Sequence, residues 1–192
     1  MPETLLTVYT PEKRDGHERY NFFMVFPYMD HDLAGLLANR ALTFSESICK
    51  TWAYQLLMGT LYLHQVRVAR ALASPAHAAL QNNLLHRDLK AANLLIDNKG
   101  RLMICDFGLA RALHPRHEDR LYTDNVVTRW YRAPELLLGD RHYDQAVDMW
   151  SVACIVGEMF VRRPVFEGNS CVDQLARIFQ YVSAARRTAA RH

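Results

Sequence analysis

Among the 192 residues, the stretch from His86 to Gly108 holds the side chains best suited to chemistry. His86-Arg87-Asp88-Leu89-Lys90-Ala91-Ala92-Asn93 is followed by an apolar run and then by Asp106-Phe107-Gly108. Acids, an amide and a lysine thereby fall in two turns that bracket a hairpin, a set able to handle a metal-bound phosphate. Asp88 can accept a proton, and Lys90 can lie against a phosphoryl oxygen. Asn93 and Asp106 offer hard oxygen ligands of the kind magnesium takes, its other positions filled by phosphate and water. Taken singly, Asp-Phe-Gly is a turn after a strand and His-Arg-Asp a solvated loop. The reading rests on their order and spacing.

That order resembles the protein-kinase catalytic loop, H-R-D-x-x-x-x-N, followed by D-F-G. Ala133-Pro134-Glu135 comes where the family closes its activation segment with A-P-E, and Asp148-Met149-Trp150-Ser151 where its next long helix begins. The resemblance implies ATP and Mg2+ as cofactors, Asp88 and Lys90 as catalytic residues, and Asn93 and Asp106 as the magnesium ligands. Asp88 would orient the substrate hydroxyl and take its proton, a role worth roughly 10²–10⁴ in rate. Positioning and charge neutralisation carry the rest. Glu135 and Asp148 are implied as structural residues, Asp148 by bracing the backbone of the catalytic loop.

Tyr122-Thr123-Asp124-Asn125-Val126-Val127-Thr128-Arg129-Trp130-Tyr131-Arg132, running into Ala133-Pro134-Glu135, is similar to the activation segment of cyclin-dependent kinases. In that family Thr123 is the activating phosphosite, and its added charge needs guanidinium partners. Arg87 and Arg111 match two of the family's three. As a bare residue, Thr123 is an exposed loop threonine. Val127, Thr128 and Arg132 match the substrate-binding positions, and Val127 and Arg132 those that favour proline after the phosphoacceptor, so Ser-Pro or Thr-Pro targets are implied. By the same resemblance Phe26 is the gatekeeper, the Met29 backbone meets adenine and Leu95 forms the floor beneath it. Phe26 also reads as ordinary core. The stretches Phe26–Leu37 and Lys90–Ile96 look most like the transcription-elongation branch, particularly its fungal members, whose substrates are the C-terminal repeats of RNA polymerase II.

Half of the residues are hydrophobic and the net charge is +3, which suits a globular domain and gives no dense basic face for nucleic acid. No apolar run reaches the length of a membrane span, and the N-terminus lacks a signal-peptide layout. Cys49, Cys105, Cys154 and Cys171 have no metal-ligand or disulfide spacing, so small buried thiols in a reducing compartment are expected. Cys105, directly before Asp106, is also a candidate reactive thiol. An intracellular and nuclear protein is implied.

The elements that must position these residues are legible in part. Thr4–Tyr9 and Phe22–Phe26 read as strands, with a charged loop from Pro11 to Tyr20 between them. Pro27 to Leu33 opens a short helix bearing Leu33, Leu36 and Leu37. Thr43-Phe44-Ser45-Glu46 has capping-box form, and Ile48, Trp52, Leu56, Gly59 and Leu63 mark one face of a helix. Leu94–Cys105 reads as a hairpin around an Asp-Asn-Lys-Gly turn. Ala146–Val161 reads as a long helix and Cys171–Phe179 as a shorter one. Residues 66–81 form an Ala- and Arg-rich insert, read either as a translated intron or as a surface loop, which loop-closure entropy tolerates. Residues 181–192, similar in composition, resemble nothing in the family.

The fold expected is α+β, mainly α: a kinase large lobe over residues 29–180, with only a strand or hairpin remnant of the small lobe in residues 1–28. No G-x-G-x-x-G loop precedes Phe22, and no V-A-I-K lysine or its helix-borne glutamate partner is present. The helix that meets a cyclin is absent with them, although a cyclin partner is implied for the full-length protein. Glu135, in kinases, pairs with an arginine beyond this sequence, and losing that partner costs about 3–5 kcal/mol for a buried carboxylate. The chain as written is therefore expected to be incomplete, to fold poorly and to be inactive alone. Two functions stand: a Ser/Thr protein kinase, or a non-catalytic docking module that keeps the large-lobe surface. Retention of Asp88, Lys90, Asn93 and Asp106 together favours the first.

Overall fold

Two helices with apolar faces make the centre of the molecule. The computed structural model describes residues 6–14, 17–65, 84–113 and 128–189. In it Glu46–Gln65 and Ala146–Val161 are the central helices; with Leu33–Ala38, Pro134–Leu137 and Cys171–Ala189 they are numbered in chain order α1 (Leu33–Ala38), α2 (Glu46–Gln65), α3 (Pro134–Leu137), α4 (Ala146–Val161) and α5 (Cys171–Ala189). α2 packs on α4, and Leu56 on α2 and Ile155 on α4 are both fully buried. Burial of one such side chain is worth about 1.5–3 kcal/mol.

The buried face of α2 carries Cys49, Trp52, Leu56, Thr60 and Leu63. It is turned by one residue from the face expected at its start: Ile48 is 39% exposed, and Cys49 takes the inner place, its thiol donating to the Met159 carbonyl at 3.7 Å. Gly59 remains at the inner edge, where a Cβ would stand 3.0 Å from Ile104 Cδ1. The cap also differs. Ser45, not Thr43, accepts the Ile48 N–H at 3.3 Å, while Glu46 pairs with Lys50 one turn on. Thr43 lies too far before the first turn to reach its free N–H groups.

α1 is entered through Asp32, whose carboxylate accepts the Gly35 N–H, and leaves its last carbonyls unbonded within the helix, as every helix does. Arg162, left-handed at φ 59° at the C-terminal end of α4, collects them. Its guanidinium donates to the carbonyls of Leu36, Leu37, Asn39 and Leu42 and lies over the Phe44 ring. The end of α4 is thereby tied to α1.

Strands β1 (Leu6–Arg14) and β2 (His17–Val25) pair antiparallel. Of the expected loop from Pro11 to Tyr20, residues 11–14 and 17–20 are strand instead. The register puts Glu12 opposite Arg19 and Lys13 opposite Glu18, and opposite charges at facing positions favour pairing. The sequence between the strands is Asp15-Gly16, a dipeptide favoured in two-residue hairpin loops. Pro11 is admissible because every strand of a two-stranded sheet is an edge.

β3 (His31–Asp32), β5 (Leu94–Ile96) and β6 (Leu102–Ile104) form a second sheet, and β4 (Leu84–Leu85) pairs with β7 (Arg111–Ala112). β5 and β6 are the expected hairpin. Asp97 accepts the N–H groups of Lys99 and Arg101 within its turn, and Gln55 of α2 bonds the turn from outside, at the Gly100 carbonyl and the Leu102 N–H.

α4 spans the expected residues, whereas α5 runs ten residues past Phe179, to Ala189. Tyr181 meets Phe166 edge-on, with ring centroids 5.5 Å apart, so the helix has a packing partner beyond the predicted stop. All four cysteines are free, but only Cys49 and Cys154 are buried; Cys105 is half-buried and Cys171 exposed, which corrects the expectation of four buried thiols. Cys171 opens α5 on its outer side. The result is a mixture of helix and sheet, mostly helical. Thr123, Val127 and the insert at residues 66–81 lie outside the described residues.

Candidate active site

His86 to Asn93 follows β4 as a loop whose shape is imposed by neighbours. Arg87 has φ 64°, a left-handed conformation that costs a bulky residue energy. Asp148, in the first turn of α4 and 1% exposed, holds it there. One of its oxygens accepts the His86 N–H and the other the Arg87 N–H, both at 2.9 Å. His64, at the end of α2, meets the same carboxylate at 2.9 Å. His64 gave no sequence signal of its own; its place on the inner face of α2 was the only clue.

His86 is fully buried. Its Nδ1 accepts the Asp88 N–H at 3.3 Å, which puts the ring proton on Nε2, directed at the Cys105 carbonyl at 3.0 Å. Burial lowers its pKa against the pull of that carbonyl and of the carboxylates of Asp148, Asp88 and Asp106, so the ring stays neutral. Phe107 lies 4.9 Å from it, centroid to centroid. The two turns singled out in the sequence thus meet at one imidazole, and both Asp88 and Asp106 act on it.

The Asp88 carboxylate is 7% exposed by residue. Its Oδ2 accepts from Lys90 Nζ at 2.8 Å and from the Asn93 amide at 3.1 Å, and the same amide nitrogen donates to the Asp88 carbonyl at 2.8 Å. Both amide hydrogens are spent on Asp88, which leaves Asn93 Oδ1 as its remaining polar atom. The Asn93 carbonyl accepts the N–H and the thiol of Cys105. Asp106 follows at once, left-handed at φ 62°, with its Oδ1 accepting the Gly108 N–H at 3.3 Å. Asp106 is exposed.

Among the described residues no three His, Cys, Asp or Glu side chains cluster as a metal site. Magnesium does not need them, being held by one or two carboxylates with phosphate and water, and the Asn93 amide oxygen with the Asp106 carboxylate fits that donor set. Burial and the adjacent Asp106 push the Cys105 thiol pKa up. A raised pKa leaves little thiolate, which favours the quiet reading of this cysteine over the reactive one.

Leu95 lies half-buried on β5 with Asp32 and Met103 as its register partners. Met29 is half-buried, but Phe26 is 64% exposed, so its reading as core is overturned. Arg87 donates to the Leu109 carbonyl and to the Tyr143 hydroxyl, and Arg111 pairs in register with Leu85, close in the chain to His86. Thr128 is exposed and Arg132 half-buried, at the two ends of the 3-10 turn Arg129–Tyr131. Glu135 is half-buried too rather than sealed in the core.

One pair was missed. Tyr131 donates to Glu158 Oε2 at 2.7 Å, both side chains being buried, and the Ala91 backbone also bonds the phenol. The Tyr131 carbonyl accepts from the Ser151 hydroxyl. Burial and the facing glutamate hold the phenol protonated, far above its ordinary pKa. Burial raises the Glu158 carboxyl as well, against the lowering effect of the Tyr131 bond. Burial, with Glu158 one turn away, pushes the Cys154 thiol up to about 12. This pair joins the His86–Asn93 loop, the segment before Ala133 and α4. Its sequence signal was an acid amid the apolar residues of α4.

The protein kinase domain model matches residues 13–191. The chain is 47% identical over 191 residues to the probable cyclin-dependent kinase 9 of Schizosaccharomyces pombe, which covers 94% of this chain and 29% of the relative. It is 46% identical over 179 residues to the serine/threonine-protein kinase bur1 of Emericella nidulans, covering 88% and 30%. It therefore spans less than a third of the length of these relatives. Among solved structures, a chain of the yeast RNA Pol II CTD kinase CTDK-1 complex superposes with a TM-score of 0.72 at 39% identity, over 93% of this chain and 51% of that one. The ordered motifs, the braced loop and these matches agree, and the chain belongs to the protein kinase domain family.

Proposed function

We propose that the protein transfers the γ-phosphoryl group of ATP to serine or threonine hydroxyls followed by proline. The observation that carries this reading is the Asp88 carboxylate, held by Lys90 and Asn93 over a backbone that Asp148 braces. Asp88 receives the proton of the substrate hydroxyl. Lys90, 26% exposed at its side chain and paired to Asp88, reaches the transferring phosphoryl oxygens and offsets their charge. Asn93 and Asp106 hold Mg2+, which when bound neutralises phosphate charge. Met29 and Leu95 contact adenine and Phe26 borders that site. Thr123, once phosphorylated, is held by Arg87 and Arg111; Val127, Thr128 and Arg132 bind the substrate, and Val127 and Arg132 receive the residue after the phosphoacceptor.

The kinship with cyclin-dependent kinases supports a cyclin as partner and a nuclear site of action. The resemblance to the CTDK-1 complex favours RNA polymerase II C-terminal repeats as substrate. Residues 1–28, with their hairpin, are the part of the small lobe this sequence carries; the large lobe occupies residues 29–180, interrupted by the insert at 66–81. Among the described residues no helix is long and apolar enough to cross a membrane.

The test is phosphorylation of a Ser-Pro peptide by the cyclin-bound protein. Asp88→Asn should lower kcat by roughly 10²–10⁴ while leaving the melting temperature within a few degrees. Peptide binding without transfer by the wild-type protein, unchanged in Asp88→Asn, would replace this reading with the docking module.

A further inference from the structure

Gln174, in the first turns of α5, is 0% exposed. A buried amide is costly unless its hydrogen-bonding groups are met, and here they are met by main chain alone. Its Oε1 accepts the Gly168 N–H at 2.8 Å, and its Nε2 donates to the Phe166 carbonyl at 3.0 Å and the Trp130 carbonyl at 3.4 Å. These partners lie on two separate segments: the connection between α4 and α5, and the 3-10 turn Arg129–Tyr131. The turn answers in kind. Trp130 Nε1 donates to the Gly168 carbonyl at 3.2 Å, and Arg129 donates to the Asn169 carbonyl at 2.9 Å.

Gly168 is fitted to this amide. A Cβ there would stand 2.5 Å from Gln174 Oε1 and 2.6 Å from its Cα, so any side chain must push the helix start away. A leucine at position 174 would fill a similar space, but the amide adds three bonds that hold the two segments together beside those of Trp130 and Arg129. Thr128 and Arg132 flank the turn so joined.

We propose that Gln174 is a positioning residue for substrate selection: it clamps the Arg129–Tyr131 turn to the α4–α5 connection, so that Arg132, at the end of that turn, presents a fixed seat to the residue after the phosphoacceptor. This rests on the kinase reading above. Gln174→Leu keeps the volume and removes three bonds. Gly168→Ala strains the same contact from the other side.

The experiment measures kcat/KM of the cyclin-bound protein for a Ser-Pro peptide and its Ser-Ala counterpart, with hydrogen exchange of the segment at residues 129–132. In Gln174→Leu the Pro-over-Ala preference falls about tenfold, with KM for ATP unchanged, because a misplaced seat costs selectivity before it costs nucleotide binding. Exchange at the Tyr131 and Arg132 amides, bonded to the Thr128 and Arg129 carbonyls, quickens about tenfold. Gly168→Ala does the same, and the double variant adds little, as for two ends of one contact. Gln55→Leu, which removes a comparable amide from the β5–β6 turn, lowers stability without moving the peptide preference.

A Gln174→Leu protein that loses stability but keeps its preference, or keeps its exchange protection, overturns the inference. A wild-type protein that transfers phosphate but ignores the proline also overturns it and leaves the kinase reading standing. One that transfers nothing to either peptide sinks the kinase reading and this inference with it.

Discussion

The His86–Asn93 loop and the N-terminal hairpin are held in place by opposite means. The loop has little regular structure of its own, yet Leu85, Leu89 and Ala91 are buried and its backbone is bonded by Asp148, from a helix some sixty residues further on. The hairpin's two strands are regular, but among the described residues β1 and β2 pair with no other strand, and the residues leading out of it stay exposed, Val25 at 51% and Tyr28 at 85%. Two strands alone are marginally stable in water. Regular secondary structure is therefore no measure of how firmly a segment is fixed; here the irregular one is over-determined, as a site that must keep Arg87 left-handed requires.

The comparison is broken most directly at its strongest point. Asp148→Ala leaves the N–H groups of His86 and Arg87 and the ring of His64 without their buried acceptor. Loss of a buried carboxylate with such partners costs about 3–5 kcal/mol, read as a shift in the denaturation midpoint, and under the proposed kinase function it also abolishes phosphoryl transfer as the loop relaxes. Asp148→Asn keeps one acceptor and recovers part of the loss. A cost below about 1 kcal/mol for the alanine variant would mean that the loop holds its shape without this brace.

The second pair that secures the loop should show itself through pH. Burial holds the Glu158 carboxyl above its usual range, so the folded state keeps a proton that the unfolded chain releases. Its contribution is fully present below the unfolded pKa of 4.5 and is lost as pH rises through the raised folded value. Glu158→Gln retains an acceptor for the Tyr131 hydroxyl and carries no charge. Stability of the variant, followed by thermal unfolding from pH 4.5 upward, should fall less with pH than that of the wild type, by about 1.4 kcal/mol for each pKa unit of the shift. Parallel curves for the two proteins would place Glu158 in water rather than against Tyr131.

The same contrast explains what the sequence made legible. The residues of the site stood out because their chemistry compressed them into short motifs, and the structure brings His86, Asp88 and Asn93 together and sets Asp106 within electrostatic reach of His86. α4 and the β5–β6 hairpin were readable from periodicity and from turn residues. What escaped was long-range. His64, Glu158 and Gln174 are polar residues on apolar helix faces, and each takes its meaning from a partner on another element. The Cys49 face of α2 was misplaced by one residue because a cysteine and a threonine carry the inner stripe where isoleucine offered the stronger apolar signal. The hairpin was underestimated because its charged residues looked like loop, and only the register shows the opposite charges facing.

The smallest effect belongs to that hairpin. Neither β1 nor β2 ladders with another described strand, and Phe26 just beyond them is 64% exposed. Removing residues 1–25 should therefore leave the unfolding of the remaining chain within about 0.5 kcal/mol, the range of changes that touch no buried feature. Differential scanning calorimetry of the shortened and full chains reads this directly. A loss of several degrees in the shortened chain would show that the hairpin covers part of the helical core, and the contrast between a fixed loop and a self-contained hairpin would fail from its weaker side.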